Sequence, residues 1–481
     1  MGACRRLVLG GAAASAVLLG ACSDLGPAAS PVIHASNSAL PPAARYLVAL
    51  RGTGSPSPSL AAQIRAGGGR IVYSHAGSGL VVVAGLSSAA ATAVRQRTDV
   101  QTVIADVKRI RIHDPAFGRW AGRPLTTLQH AAGYTPRGTV DPRTAAAFSL
   151  QWNMTQVHAD SAWQITTQGA GEKVFILDSG VDTAQVELKG HVNTALSTSF
   201  AFAATDTVDT LALPFGHDVV GHGTFVSSII TGNSITIAAV APQSQIVMVR
   251  VLDDGGQGSF LASLEGILYA TDNGANVINM SLGGYFDRTN ADDMAFVDVF
   301  QRVVDYAFQR GILIVAASGN EGLDFNTAVA PTGSYVDSLE TPAGLHHVLS
   351  VGATGPVDTA NFTGIAVYSN FGNDGVAVFA PGGNTVDTVQ ADLVIGACSS
   401  ATSLCPGAEN QYLIGAGTSF ASPMTAAEGA VIQGQSGTVV GQALETCIET
   451  TATEVTGKRP DPDYNFGIID VLAAVNSKGC Q

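Results

Sequence analysis

The chain has 481 residues, is 46% hydrophobic and carries a formal net charge of −14 at neutral pH. It is long enough for two or three domains with a sizeable core, and its acidic balance excludes nucleic-acid binding through a basic surface. Its 55 glycines, with few aromatic or charged residues, suit an α/β protein of many tight turns rather than a coiled coil or a disordered chain.

At the N-terminus, Arg5 and Arg6 precede the apolar run LVLGGAAASAVLLGAC, the design of a secretion signal. The run is short for a stable membrane span and is interrupted by glycines. It ends in Leu19-Gly20-Ala21-Cys22, which resembles a bacterial lipobox, so residues 1–22 read as a signal in which Cys22 is lipidated and becomes the mature N-terminus. An ordinary cleaved signal is the alternative. Residues 23–43, rich in Pro, Ala and Ser, read as a tether. Export implies an oxidising compartment. Cys4 leaves with the signal, and Cys398, Cys405, Cys447 and Cys480 then allow three pairings. Short loops and a shared C-terminal region favour Cys398–Cys405 and Cys447–Cys480.

Residues 44–112 follow the order β-α-β-β-α-β, with strands at 45–50, 70–76, 79–86 and 100–106 and helices at 59–68 and 88–97. That order is the one of a ferredoxin-like α+β domain. Residues 113–146, with several prolines and glycines, read as a linker. From 147 to 481, near-continuous apolar strands such as KVFIL (173–177), QIVMVRVL (245–252) and GILIVAAS (311–318) alternate with helical stretches at 260–274 and 294–311. Such a pattern predicts a mostly parallel sheet covered on both faces.

In such a sheet, reactive groups sit at the carboxyl ends of strands. VFILDSGVD ends a strand at Asp178, VVGHGTFVSSII sets His222 at the start of a helix, and GAGTSFASPMTA does the same for Ser419. A serine hydroxyl attacks only when an imidazole takes its proton, and the imidazole needs a carboxylate to hold its tautomer. GILIVAASGNEG brings Asn320 to another strand mouth, where a carboxamide can donate to an oxyanion together with the Ser419 backbone N–H. Singly, each residue is equally a turn former or a helix cap. Pro423 is tolerable if it lies near the first turn of its helix.

The order Asp, His, Ser, with D-S-G, H-G-T and G-T-S-x-A-S-P, resembles the subtilisin family of serine peptidases over roughly residues 147–475. The resemblance implies a three-layer αβα catalytic domain, here 147–481, in which Asp178 orients His222, His222 is general base and acid, Ser419 forms the acyl-enzyme and Asn320 serves the oxyanion. It implies a wall of the specificity pocket at Ser281, Leu282 and Gly283, and an edge at Gly256 and Gly258 that pairs with an extended polypeptide substrate. The block at 44–112 then resembles the family's propeptide, an intramolecular chaperone and inhibitor released by cleavage within about 112–147. The expected protein is an exported, lipid-anchored or secreted monomeric endopeptidase of broad, apolar-leaning specificity, attached to the membrane through its lipid only. The chemistry needs no cofactor. The resemblance allows a structural calcium, but no D-x-D-x-D-G string places one, and the acidic loops at 204–218 and 253–254 are the candidates. Glu321 is expected as a solvated carboxylate on the rim of the pocket. The stretch after Asp178 and residues 323–341 depart from the family pattern, which leaves the side-chain preference at the scissile bond open.

Overall fold

The computed structural model describes residues 45–106, 108–112, 141–202, 212–327, 338–358, 361–385, 392–407 and 409–481. The expected signal and tether with Cys22, the linker before residue 141, and much of the acidic loop at 204–218 lie outside them.

Strands β1 (Arg45–Leu50), β2 (Arg70–His75), β3 (Leu80–Ala84) and β4 (Val100–Ala105) form an antiparallel sheet in the order β2-β3-β1-β4. Two helices, Pro58–Ala66 and Ser88–Arg95, begin at serine caps, with the Ser57 hydroxyl accepting from Leu60 N and that of Ser87 from Ala90 N. Side chains of a strand alternate between faces. Tyr46, Val48 and Leu50 therefore pack with Leu60, Ile64 and Val94 of the two helices, while Leu47 and Ala49 point the other way, into the larger body.

That body contains β5 (Lys108–Arg111), β6 (Lys173–Asp178), β7 (Thr198–Ser199), β8 (Gln245–Arg250), β9 (Gln257–Ser259), β10 (Val277–Met280), β11 (Gly284–Asp287), β12 (Leu313–Ala317), β13 (Ser338–Thr341), β14 (Val348–Gly355), β15 (Gly364–Ile365), β16 (Val378–Pro381), β17 (Val394–Ala397) and β18 (Tyr412–Gly415). Its central sheet runs β15-β14-β12-β10-β6-β8-β7, with β16 also paired to β14, and only β15 is antiparallel. Along β6, Val174 and Ile176 join Phe420, Ala421 and Ala427 of helix Thr418–Ser436 in one core. Phe175 and Leu177 join Leu264 and Phe300, from helices Phe260–Asp272 and Ala291–Phe308, in the other. One strand thus feeds two opposite layers, which makes the αβα architecture. Disulfides join Cys398 to Cys405 and Cys447 to Cys480.

The small sheet docks its free face on those last two helices, where Leu47, Leu80, Val82 and Ile104 share a core with Phe260 and Leu264. Arg45 pairs with Glu265 at 3.2 Å, His75 Nε2 with Asp272 at 3.0 Å, and Arg302 donates to the Leu50 carbonyl at 2.7 Å.

Glu428, midway along Thr418–Ser436, is fully buried. Burial, reinforced by the Asp470 carboxylate, pushes its pKa well above the ordinary value. The unfolded chain ionises this group near the usual carboxylate value while the folded chain resists it. Stability therefore falls as pH rises from that point up to the folded pKa, by about 1.4 kcal/mol per pH unit. Glu428→Gln removes the dependence. In denaturant melts on a Ser419→Ala background, its advantage over the parent is expected to grow steadily above about pH 5 and to vanish near about pH 4; an advantage independent of pH would contradict a buried ionisable group.

Candidate active site

The site lies at the carboxyl edge of the central sheet. Asp178 ends β6, between β8 and β10, and helix His222–Ile230 begins beside it. His222 Nδ1 is 2.9 and 3.0 Å from the two Asp178 carboxylate oxygens, and both side chains are fully buried. Asp178 Oδ1 also accepts the Ser179 N–H at 2.7 Å. A neutral imidazole that gives its Nδ1–H to a carboxylate presents Nε2 as a proton acceptor. Gly223 lets the helix come this close, since a Cβ there would lie 2.1 Å from the Gly180 carbonyl oxygen.

The start of that helix is held by a residue that sequence reasoning left in an acidic loop. Gly221 has no side chain with which to cap. Asp218 caps instead, accepting Gly221 N–H at 2.8 Å on Oδ1 and the Thr224 N–H and hydroxyl at 2.9 and 2.7 Å on Oδ2. Oδ1 also takes the Ser179 hydroxyl at 2.9 Å, so Asp218 ties the turn after Asp178 to the helix of His222. Burial raises its pKa against the pull of these bonds. Asp218→Asn turns one of the two accepting oxygens into a donor, and a loss of about 2–3 kcal/mol in chemical denaturation is expected; an unchanged midpoint would show that the cap is dispensable.

Asn320 follows β12 and faces the start of helix Thr418–Ser436. Its Oδ1 accepts the Thr418 N–H at 2.9 Å and hydroxyl at 2.8 Å, which fixes the amide orientation. Its Nδ2 is buried and has no hydrogen-bond partner. Ser419 lies in the first turn of that helix, where backbone N–H groups lack intrahelical acceptors. Its hydroxyl donates to the Ser281 carbonyl at 3.2 Å.

Pro423 is inside the helix, beyond the first turn near which the sequence reading made it tolerable. It has no N–H to give to the carbonyl four residues back. That carbonyl belongs to Ser419, and the Ser281 hydroxyl donates to it at 2.8 Å instead. The Ser281 hydroxyl in turn accepts from Asn279 Nδ2 at 3.0 Å, and Asn279 Oδ1 accepts the Ser422 hydroxyl at 2.8 Å. The missing helical bond thus joins Ser419 to the Ser281-Leu282-Gly283 segment.

Gly256, Gly258 and Gly283 all pair through their backbones with one segment of this same chain. β5 pairs antiparallel with β9, Ile112 N–H donates to the Gly256 carbonyl at 3.3 Å, and Arg111 and Gly283 exchange both backbone bonds at 3.1 Å. Glu321 is not the solvated rim carboxylate that sequence suggested: its side chain is 13% exposed, Oε2 accepts the Tyr285 hydroxyl at 2.5 Å and Asn370 Nδ2 at 3.2 Å, and Oε1 is 3.9 Å from Arg111. Burial, followed by the Glu321 charge, drives the Tyr285 pKa well upward. Tyr285 and Asn370 come from segments remote in the chain from Glu321. Among the described residues, no cluster of three or more His, Cys, Asp or Glu side chains is arranged to hold a metal. No described helix is long and apolar enough to cross a membrane.

A profile of the subtilase family matches residues 169–468. The chain is 32% identical to thermitase of Thermoactinomyces vulgaris over 67% of its own length and 94% of that protein. It is 31% identical to a thermophilic serine proteinase of Bacillus sp. strain AK1 over 68% of its length and 67% of the relative. Its fold is similar to that of the epidermin leader peptide processing serine protease from Staphylococcus aureus, with a TM-score of 0.70 at 21% identity over 90% of this chain and 98% of the other. Fervidolysin of Fervidobacterium pennivorans gives a TM-score of 0.68 at 21% identity, over 90% of this chain and 61% of that one. The chain belongs to the subtilase family and is a subtilisin-like serine endopeptidase.

Proposed function

We propose that Ser419 is the nucleophile, His222 the general base and acid, Asp178 the group that orients the imidazole, and Asn320 Nδ2 with the Ser419 backbone N–H the oxyanion site. The observation that carries this reading is the Asn320 amide. Its oxygen is pinned by Thr418 while its buried nitrogen has no partner. A buried donor left unsatisfied costs about 1–3 kcal/mol, and an incoming oxyanion beside Ser419 satisfies it. In the reaction, the Ser419 hydroxyl turns from the Ser281 carbonyl to His222 Nε2, gives up its proton and attacks the substrate carbonyl carbon. The imidazolium, stabilised by Asp178, protonates the leaving amine. Water then repeats the sequence on the acyl-enzyme. No cofactor takes part in these steps.

The substrate is an extended polypeptide held by strand addition at Gly256, Gly258 and Gly283. The apolar neighbours of Ile110 favour apolar side chains at that position, with otherwise broad specificity. The block at 44–112 is a propeptide that assists folding, occupies the cleft and is removed by the enzyme itself. The protein is exported, anchored to the cell envelope by a lipid on Cys22, and acts as a monomer. The test is a fluorophosphonate probe with intact-mass readout. One probe adduct, mapped to Ser419, supports the mechanism; a folded chain that stays unlabelled after removal of the 44–112 block refutes it.

A further inference from the structure

An extended segment turns alternate side chains to opposite faces, and the backbone pairing of β5 fixes the face that each one takes. Ile110 stands opposite Gly258 and is 1% exposed, in the core shared with Leu252, Phe260 and Phe286. Arg111 exchanges both backbone bonds with Gly283 at 3.1 Å, and its guanidinium lies 3.9 Å from Glu321 Oε1.

Glu321 is fixed by its surroundings. Asn370 holds the residue twice, with Oδ1 accepting the Glu321 N–H at 3.2 Å and Nδ2 donating to Oε2 at 3.2 Å. The same Oδ1 takes the Leu323 N–H at 2.9 Å, and the Tyr285 hydroxyl donates to Oε2 at 2.5 Å. Gly319 leaves room for this packing, since its φ is +103° and a Cβ there would lie 2.7 Å from Oε2. With both of these donors on Oε2, it is Oε1 that meets Arg111. A second buried carboxylate, Glu340, stands opposite Tyr285 in the β11–β13 register, which adds negative charge on this side of the strand. A carboxylate already held in place loses little freedom when a cation arrives.

We infer that Glu321 selects a positively charged side chain at the substrate residue that pairs with Gly283. The favoured substrates are then polypeptides in which an apolar residue is followed directly by Arg or Lys. The inference rests on the proposed strand addition of substrate at Gly256, Gly258 and Gly283, because β5 pairs with those backbones as a substrate would and Arg111 marks the place. In this role Glu321 reads charge and takes no part in making or breaking bonds, so the preference belongs in KM rather than kcat. Arg111 is 44% exposed, and a partly exposed ion pair limits the gain to about three- to fivefold.

The experiment uses chain that has folded at full length and then been freed of the 44–112 block, with active sites counted by fluorophosphonate. Quenched fluorescent peptides are built on the Ile110-Arg111-Ile112 sequence and extended by alanines, with Arg, citrulline or Glu at the middle position, and the cut bond is mapped by mass. Citrulline keeps the shape of arginine and removes its charge. Arg is expected to exceed citrulline by about three- to fivefold in kcat/KM, with Glu slower than either. The ratio of Arg to citrulline should fall to about one in Glu321→Gln, which keeps a carbonyl oxygen for the Tyr285 hydroxyl, and in wild type at about 1 M salt. The salt series needs no variant, so it decides even where Glu321→Gln fails to fold. Equal rates for Arg and citrulline, a ratio unchanged in Glu321→Gln or by salt, or a cut directly after the middle residue overturns the inference. If Ser419 takes the fluorophosphonate and the peptides are cut without preference, the inference fails and the mechanism stands. If the enzyme neither labels nor cuts, the mechanism fails and takes the inference with it.

Discussion

Replacing Ser419 by alanine is expected to leave a folded, full-length chain that takes no fluorophosphonate and turns over peptide substrates about 10⁶-fold more slowly. That magnitude is borrowed from subtilisin, a member of the same family, in which loss of the nucleophile or the base costs about that much in kcat. The substitution removes only the hydroxyl. The Ser281 hydroxyl keeps its bond to the carbonyl of residue 419, and the helix start keeps its two bonds from Thr418 to Asn320. The melting temperature should therefore change little while activity collapses. Turnover within tenfold of wild type would place the attacking group elsewhere.

The second large effect is expected at Asn320. Asn320→Leu and Asn320→Asp should each lower kcat by about 10²–10³, equivalent to about 2.7–4 kcal/mol, with KM nearly unchanged. This magnitude too comes from the corresponding asparagine of subtilisin. KM is spared because the amide nitrogen meets full charge only in the transition state. The two variants separate catalysis from structure. The aspartate keeps an oxygen for the Thr418 N–H and hydroxyl, whereas leucine strands both donors, at about 1–3 kcal/mol for each. Equal loss of kcat with unequal loss of stability is the expected pattern. Activity that merely tracks stability would reduce Asn320 to a structural tie.

Much of this site was legible in the sequence because its parts sit where strands end and glycines allow sharp turns. Asp178 closes an unbroken apolar run, His222 and Ser419 open helices, and Asn320 ends another apolar run, each in a short motif readable within a dozen residues. The αβα architecture was legible for the same reason, since doubly buried strands read as continuous apolar runs. What was not legible depends on contacts between distant segments. The Thr418–Asn320 bonds span 98 residues and the Ser281–Ser419 bonds span 138, and no local pattern announces either. Pro423 is tolerated beyond the first turn of its helix, where its local cost is high, because a compensating donor comes from Ser281, far away in the chain. Glu321 was read as solvated because an isolated glutamate usually is. Its partners Tyr285 and Asn370 lie 36 and 49 residues away.

The docking of the small sheet has a consequence for the order of events in the life of the molecule. Its inward face, with Leu47, Leu80, Val82 and Ile104, shares its apolar layer with two helices of the body. If the covalent connection is cut as proposed, that face is protected only by staying in place. A unit of about 70 residues is marginally stable even when its whole core is its own, and this one also buries a second apolar layer only against its neighbour. Departure is thus expected to be coupled to unfolding, and an unfolded fragment is itself a peptide substrate. Activation would then run as a ratchet: the first fragment to leave is digested, the enzyme it freed attacks the fragments still seated, and no intact fragment remains to close the cleft again.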